Sequence, residues 1–161
     1  MLLVSKWHPS DQYLAIGGQD SNVIVVETTN VRYVENSFLK LENVGISCIQ
    51  LSPSGQILVI ARNDGVVTFM DTTASDSTSS FIVLYEIVLG TFTDVSNTAT
   101  DIEWSPDGAI VAIGSGDAVV VISTNPSMYL KNPGYKNSRF SLVKVIRGMK
   151  CVESISFRLV S

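Results

Sequence analysis

Charge is scarce in this chain. Only 16% of its 161 residues are Asp, Glu, Lys or Arg, and the formal net charge is −4. That balance argues against a binder of nucleic acid or of an anionic membrane. It also argues against disorder, because 45% of the residues are hydrophobic and can build a core. Histidine occurs once and cysteine twice, which removes most zinc sites and any disulfide framework. Long apolar runs are missing too. The longest, Phe81 to Leu89, is interrupted by Glu86 and reaches about half of a membrane span. Met1-Leu2-Leu3-Val4 is too short for a signal-peptide core, and no Arg-rich presequence follows. Asn125-Pro126-Ser127 is blocked as a glycosylation acceptor by its proline. Free thiols without a targeting signal predict an intracellular, cytoplasmic setting.

What the chain does have is β-forming residues, with 21 Val and 14 Ile. Short apolar runs are separated by clusters of Gly, Pro, Asn, Asp and Ser, and helix-period stretches are absent. The runs repeat. Trp7-His8-Pro9-Ser10-Asp11, Leu51-Ser52-Pro53-Ser54-Gly55 and Trp104-Ser105-Pro106-Asp107-Gly108 align as turns, each after a short alternating strand. A denser apolar strand follows each turn: Tyr13 to Gly17, Ile57 to Ala61 and Ile110 to Gly114. Turns bearing Asp20, Asp64 and Asp117 come next. Third strands then run over Val23 to Val26, Val66 to Met70 and Ala118 to Ile122. Fourth strands are expected near Phe38 to Leu41, Phe81 to Val88 and Phe140 to Val145. Ile155-Ser156-Phe157 opens a further unit by matching Ile49-Gln50-Leu51 and Ile102-Glu103-Trp104.

Four strands per unit, with a second strand apolar on both faces, describe sheets stacked on one another. Proline presets φ in the first turn, and Gly takes the positive φ. The fold expected is all-β: a partial, open β-propeller of three four-stranded antiparallel blades plus a C-terminal stub strand. Residues 1–161 form one such domain, with blades at about 2–41, 46–89 and 99–146 and the start of a fourth at about 152–161. Closed propellers use about four to eight blades, so the chain reads as a piece of a larger propeller. Its first and last blades would expose apolar faces for remaining blades or self-association to cover.

At these residues the chain resembles the WD40 family of β-propellers. Leu51 to Thr72 is most similar to the family's repeat, and Trp104 to Ser123 and Trp7 to Thr28 are similar as well. The family's Trp-Asp pair closes the third strand, where this chain has Val26-Glu27, Met70-Asp71 and Ile122-Ser123. Its Gly-His pair before the first strand is absent. The family's buried polar tetrad is therefore incomplete in every repeat, while Asp20, Asp64 and Asp117 match its tight-turn Asp. The resemblance implies a scaffold for other proteins.

Catalytic constellations were sought against plainer readings. His8 is the only imidazole, yet it aligns with Ser52 and Ser105 in a turn, and no Gly-x-Ser-x-Gly elbow exists. Cys48 and Cys151 have no ligand-spaced neighbour and read as free thiols. Gly17-Gly18-Gln19-Asp20 and Gly114-Ser115-Gly116-Asp117 precede strands rather than a helix N-terminus, so they are hairpin turns and not phosphate loops. Lys6, Gln50 and Glu103 occupy equivalent first-strand positions lining a central channel, where solvated polarity is the plainer reading. They are a poor set for a propeller hydrolase or lactonase, the rival class, which needs convergent carboxylates or a metal.

The expectation is thus a non-catalytic scaffold for protein partners, without cofactor, metal, nucleic acid or membrane insertion. A truncated product with no independent function is the remaining alternative. Partner contacts are expected at Gln19, Asp20, Arg62, Asn63 and Asp64 in the second turns. A second set, Tyr129, Tyr135 and Lys136, lies in an insertion from Asn125 to Ser138 whose aromatic and basic residues suit a contact. The Ser/Thr-rich Thr72 to Ser80 loop should leave from the same face as that insertion, opposite the second turns.

Overall fold

The computed structural model describes residues 2–27, 32–33, 39–40, 44–72, 82–92, 98–124 and 140–158. They form three antiparallel sheets. The first contains β1 (Leu2–Trp7), β2 (Tyr13–Gly18), β3 (Asn22–Glu27), β4 (Arg32–Tyr33) and β5 (Leu39–Lys40). The second is β6 (Ile46–Leu51), β7 (Ile57–Arg62), β8 (Val66–Asp71) and β9 (Ile82–Val88), in that order. The third is β10 (Asp101–Trp104), β11 (Ile110–Ser115), β12 (Ala118–Ser123) and β13 (Ser141–Ile146). Among the described residues the only helical turn is a 3-10 turn at Leu89–Thr91. No helix there is long and apolar enough to cross a membrane.

The first turns set the hairpins. The amides of His8, Ser52 and Ser105 each donate to the carbonyl five residues on, at 2.8 Å in all three. Asp11, Gly55 and Gly108 donate back to the His8, Ser52 and Ser105 carbonyls and take φ of 59°, 72° and 70°. Ser52 and Ser105 also accept the amides of Ile57 and Ile110 on their hydroxyls, at 3.1 and 2.9 Å. His8 turns its Nδ1 instead to the Ser10 hydroxyl, 2.8 Å away. It therefore works as a turn residue.

Period-two alternation then sorts the side chains between two faces. On the forward face, toward the next sheet, β2 and β3 present Ala15, Gly17, Val23 and Val25. On the rear face they present Leu14, Ile16, Ile24 and Val26. The registers of β7–β8 and β11–β12 put Val59, Ala61, Val67 and Phe69, then Ala112, Gly114, Val119 and Val121, in the forward places. Ala15 and Val23 pack with the rear residues Leu58, Ile60 and Met70 in one core cluster. Val59, Val67 and Phe69 pack with Val111, Ile113, Val120 and Ile122 in the other, where the Phe69 and Phe140 rings lie 4.8 Å apart. Complete burial of such a Leu, Ile or Phe stabilises by about 1.5–3 kcal/mol. The middle sheet is buried on both faces, so β7 is apolar throughout except for Arg62. Thr68, a polar residue among these rear side chains, is 1% exposed and donates to Glu86 at 2.8 Å. That bond accounts for the acid inside the Phe81 to Leu89 run.

Two details depart from the sequence reading. The outer strand of the first sheet comes in two pieces on β3. Arg32–Tyr33 pairs with Val26–Glu27, and Leu39–Lys40 pairs with Asn22–Val23; Phe38 and Leu41 lie outside the described residues. Ile82, Val83 and Val88 are about half exposed on β9, the outer edge of its sheet. Ile155 to Phe157 form no strand. A strand needs a ladder partner, and this segment is held only at its inner side. The Val152 amide donates to Gly116 O at 2.8 Å, Thr100 Oγ1 donates to Val152 O at 2.6 Å, and the Ile155 amide donates to Asp101 Oδ2 at 2.7 Å.

Candidate interaction surface

Stacking the sheets puts their second turns on one rim. Gly45, which enters β6, sits between the first two turns. Its carbonyl accepts the Asn63 amide at 2.8 Å. A Cβ on Gly45 would stand 2.7 Å from Asn63 Nδ2, so that side chain would have to turn aside, and 3.4 Å from Gln19 Cα, an ordinary contact. The bracing continues to the third sheet. Thr98 Oγ1 donates to Asn63 O at 3.2 Å, and Ser115 Oγ donates to Thr98 O at 3.0 Å. Gln19, Asp20, Asn63 and Asp64 are exposed on this rim, and Arg62 is partly exposed. The structure therefore gathers these five sequence-selected residues on neighbouring turns. Gly45, Thr98 and Ser115, which hold the turns in place, lie outside the turn motif that singled those five out.

The charges on the rim are fixed locally. Arg62 Nε donates to Asp64 Oδ1 at 3.0 Å, and a second guanidinium nitrogen meets Oδ2. Asp64 also accepts the Val66 amide at 3.2 Å, so it closes its turn while paired. The Arg62 hydrogen bonds hold the Asp64 carboxyl below the usual carboxylate range. Asp20 is lowered too, chiefly by the Asn22 side chain, which donates to Oδ2 at 2.6 Å. Asp117 departs from this pattern. Its turn is one residue shorter than that of Asp64, with Ser115 directly opposite Ala118, and its Oδ1 is buried without a partner.

The other rim carries the first turns. Thr72 donates its amide to Gln56 O and its hydroxyl to Gly55 O, at 3.0 and 2.5 Å. Thr124 repeats this on Ala109 O and Gly108 O, at 2.9 and 2.6 Å. Thr72 and Thr124 precede the two long loops, so both loops start on the rim opposite Arg62–Asp64. Tyr129, Tyr135 and Lys136 lie outside the described residues.

The first strands enclose a cleft of about 340 Å³ lined by Val4, Ser5, Lys6, Ser47, Cys48, Ile49, Thr100, Asp101 and Ile102. Lys6, Gln50 and Glu103 do share register positions, opposite Ala15, Val59 and Ala112. Gln50 Nε2 donates to Glu103 Oε2 at 3.2 Å, while Lys6 faces the cleft. The Cys48 thiol donates to Ala99 O at 3.5 Å, and burial, reinforced by Asp101, pushes its pKa up to about 11. A thiol so held is a packing group and a poor nucleophile. No group of His, Cys, Asp and Glu among the described residues could hold a metal ion.

Comparison with known proteins bears on both the repeat and the fold. Residues 88–122 match the model of the WD domain, G-beta repeat. The match opens at the last residue of β9 and closes in β12, so this sequence repeat straddles two sheets. The matched stretch is a WD40-type repeat, and the sheets are propeller blades. A search of curated proteins finds no match. The β-propeller domain of Cps50 (Swd1) from Myceliophteria thermophila is similar in fold, with a TM-score of 0.66 and 14% identity. The similarity covers 93% of this chain and 44% of that one, so the blades described above span less than half of that chain.

Proposed function

We propose that this chain is a non-catalytic scaffold that binds other proteins through the rims of its WD40-type blades. The observation that carries the reading is the shared rim: Gln19, Asp20, Arg62, Asn63 and Asp64 stand on neighbouring turns, and the Asn63 backbone is hydrogen-bonded both to Gly45 at the entry of its own blade and to Thr98 ahead of the next. Turns fixed in this way lose little further freedom when a partner docks. Tyr129, Tyr135 and Lys136 are assigned to a second contact at the opposite rim. Residues 1–161 act as one arc, and further blades or self-association cover its open faces. The reading places the chain in the cytoplasm and includes no nucleic acid, membrane insertion, metal or cofactor.

The test is affinity capture with wild-type bait beside an Arg62→Ala/Asp64→Asn bait. Asn keeps an acceptor for the Val66 amide, so the variant should stay folded, with only a modest fall in melting temperature, while losing the proteins enriched by the wild type. An unchanged set of captured proteins would refute this rim as the contact.

A further inference from the structure

The outer strand of the second blade has a free ladder edge. Among the described residues β9 bonds only to β8 and closes its sheet on the outside. The second blade has a neighbour packed on each face, so this edge lies on the circumference of the arc whatever else joins the arc. Leu89 donates its amide to Gly65 O at 2.9 Å, which turns that residue toward β8. Antiparallel alternation then turns the backbone of Glu86 and Val88 outward. Thr91 Oγ1 takes the Val88 carbonyl at 2.6 Å. The Glu86 amide, the Glu86 carbonyl and the Val88 amide are left as a run of donor, acceptor and donor. Beside this run, Val83, Glu86 and Val88 share the rear side, opposite Met70, Thr68 and Val66. The two valines are 51% and 49% exposed. Glu86 is exposed as well, and its Oε1 accepts Thr68 Oγ1, which pins the carboxylate in place. The charge here has one sign. No Lys or Arg occurs between Arg62 and Lys131, a stretch that holds nine Asp and Glu. Arg147 of the third blade reaches Phe92 O, beyond the end of β9.

From this we infer that β9 accepts an extended segment of a partner protein as a fifth, antiparallel strand, with a Lys or Arg opposite Glu86 and an aliphatic residue two places to either side of it. An apolar patch alone would suit any apolar surface. Here three backbone groups in ladder register have to be matched too, and an extended backbone presents acceptor, donor and acceptor at that spacing. In antiparallel pairing the residue opposite Glu86 exchanges both bonds with it and puts its side chain on the rear side. A cation there meets the Glu86 carboxylate, and the side chains two places away meet Val88 and Val83. An acidic segment would be repelled by Glu86 and by the base-free stretch around it. A second copy pairing its own β9 about the same point would set one Glu86 against the other. The bulge at Leu84 ends the regular edge, so the paired segment is short, about five residues. This contact lies on the outer edge of a blade, goes beyond the rim contact proposed above, and uses none of its residues.

The experiment is amide hydrogen exchange of the full chain, read by nuclear magnetic resonance, with the acetylated and amidated peptide Thr-Val-Thr-Lys-Thr-Val-Thr as probe. Exchange at the Glu86 and Val88 amides should slow by about ten-fold or more in millimolar peptide; exchange that is unchanged there overturns the inference. Methylating the backbone nitrogen of the peptide's lysine removes the donor to the Glu86 carbonyl and should abolish the protection. Glu in place of that lysine should weaken binding by about ten-fold. Glu86→Lys reverses the preference between the two peptides. Glu86→Gln, which keeps an acceptor for Thr68, removes the preference while the strand signal in circular dichroism stays. A peptide that binds equally well with and without the N-methyl group, or equally well with Lys and Glu, overturns the inference. Protection that grows with protein concentration in the absence of peptide also overturns it, because a second copy then takes the edge. The Arg62→Ala/Asp64→Asn variant should protect the same two amides, so the two proposals fail separately.

Discussion

Two glycines in equivalent turns should respond differently to the same methyl group. Gly55 and Gly108 take φ of 72° and 70°. Alanine at either position therefore carries the left-handed cost of about 1–2 kcal/mol. The surroundings differ. A Cβ on Gly55 would lie 1.9 Å from His8 Nε2 and 2.5 Å from Cε1, whereas on Gly108 the nearest atom is Pro53 Cδ at an ordinary 3.7 Å. His8 must swing away in Gly55→Ala, losing its bond to Ser10 and its edge contact with Tyr13. A hydrogen bond of this kind contributes about 0.5–1.5 kcal/mol and the ring contact a similar amount. Gly55→Ala should therefore cost about 2–5 kcal/mol and Gly108→Ala about 1–2 kcal/mol. Adding His8→Ala to Gly55→Ala should return most of the difference as a coupling energy. Urea unfolding at one fixed protein concentration measures all four variants. Equal losses for the two glycines, or no coupling to His8, would refute the seating of the first blade's turn on that of the second.

Two further outcomes follow from the titrating groups. Asp64 has its carboxyl held low by Arg62, so its contribution is present above the unfolded pKa of about 4 and fades as pH falls through the folded value. The stability gap between wild type and Asp64→Asn should accordingly shrink on acidification, and a gap that is constant from neutral to acid pH in thermal melts would contradict the pairing. Exposed Cys151 should react with a thiol reagent well before Cys48, whose pKa is about 11. Two thiols titrating at one rate in the folded protein would show that Cys48 is not packed against the third blade.

Much of this fold was legible because the repeats sit in the backbone-limiting residues. Pro53-Ser54-Gly55 and Pro106-Asp107-Gly108 fix a turn whatever surrounds them, so the strands on either side fell within a residue or two of their observed ends. Alternation likewise exposed which strands are buried on both faces. What stayed hidden depends on neighbours. Trp7 and Trp104 are the same residue in the same motif, yet one is exposed and the other buried, because only the third blade has another behind it. Ile155 to Phe157 repeat a first strand perfectly well and still form none, for want of a ladder partner. Asp117 reads like Asp64, but a turn shorter by one residue leaves its Oδ1 unpaired. At the rim, Arg62 and Asp64 announced themselves by their turn. Gly45, Thr98 and Ser115 did not, since bonds between segments far apart in the chain leave no mark in local sequence.

The central claim is that each blade's forward face receives the inner segment of the next in the same way. Nuclear Overhauser contacts test it most directly. The account predicts cross-peaks from Gly17 Hα to the Ile46 methyls and from Gly114 Hα to the Val152 methyls, together with Phe69–Phe140 ring contacts at their 4.8 Å separation. Intact strand ladders with the Gly17–Ile46 and Gly114–Val152 cross-peaks both missing would contradict it.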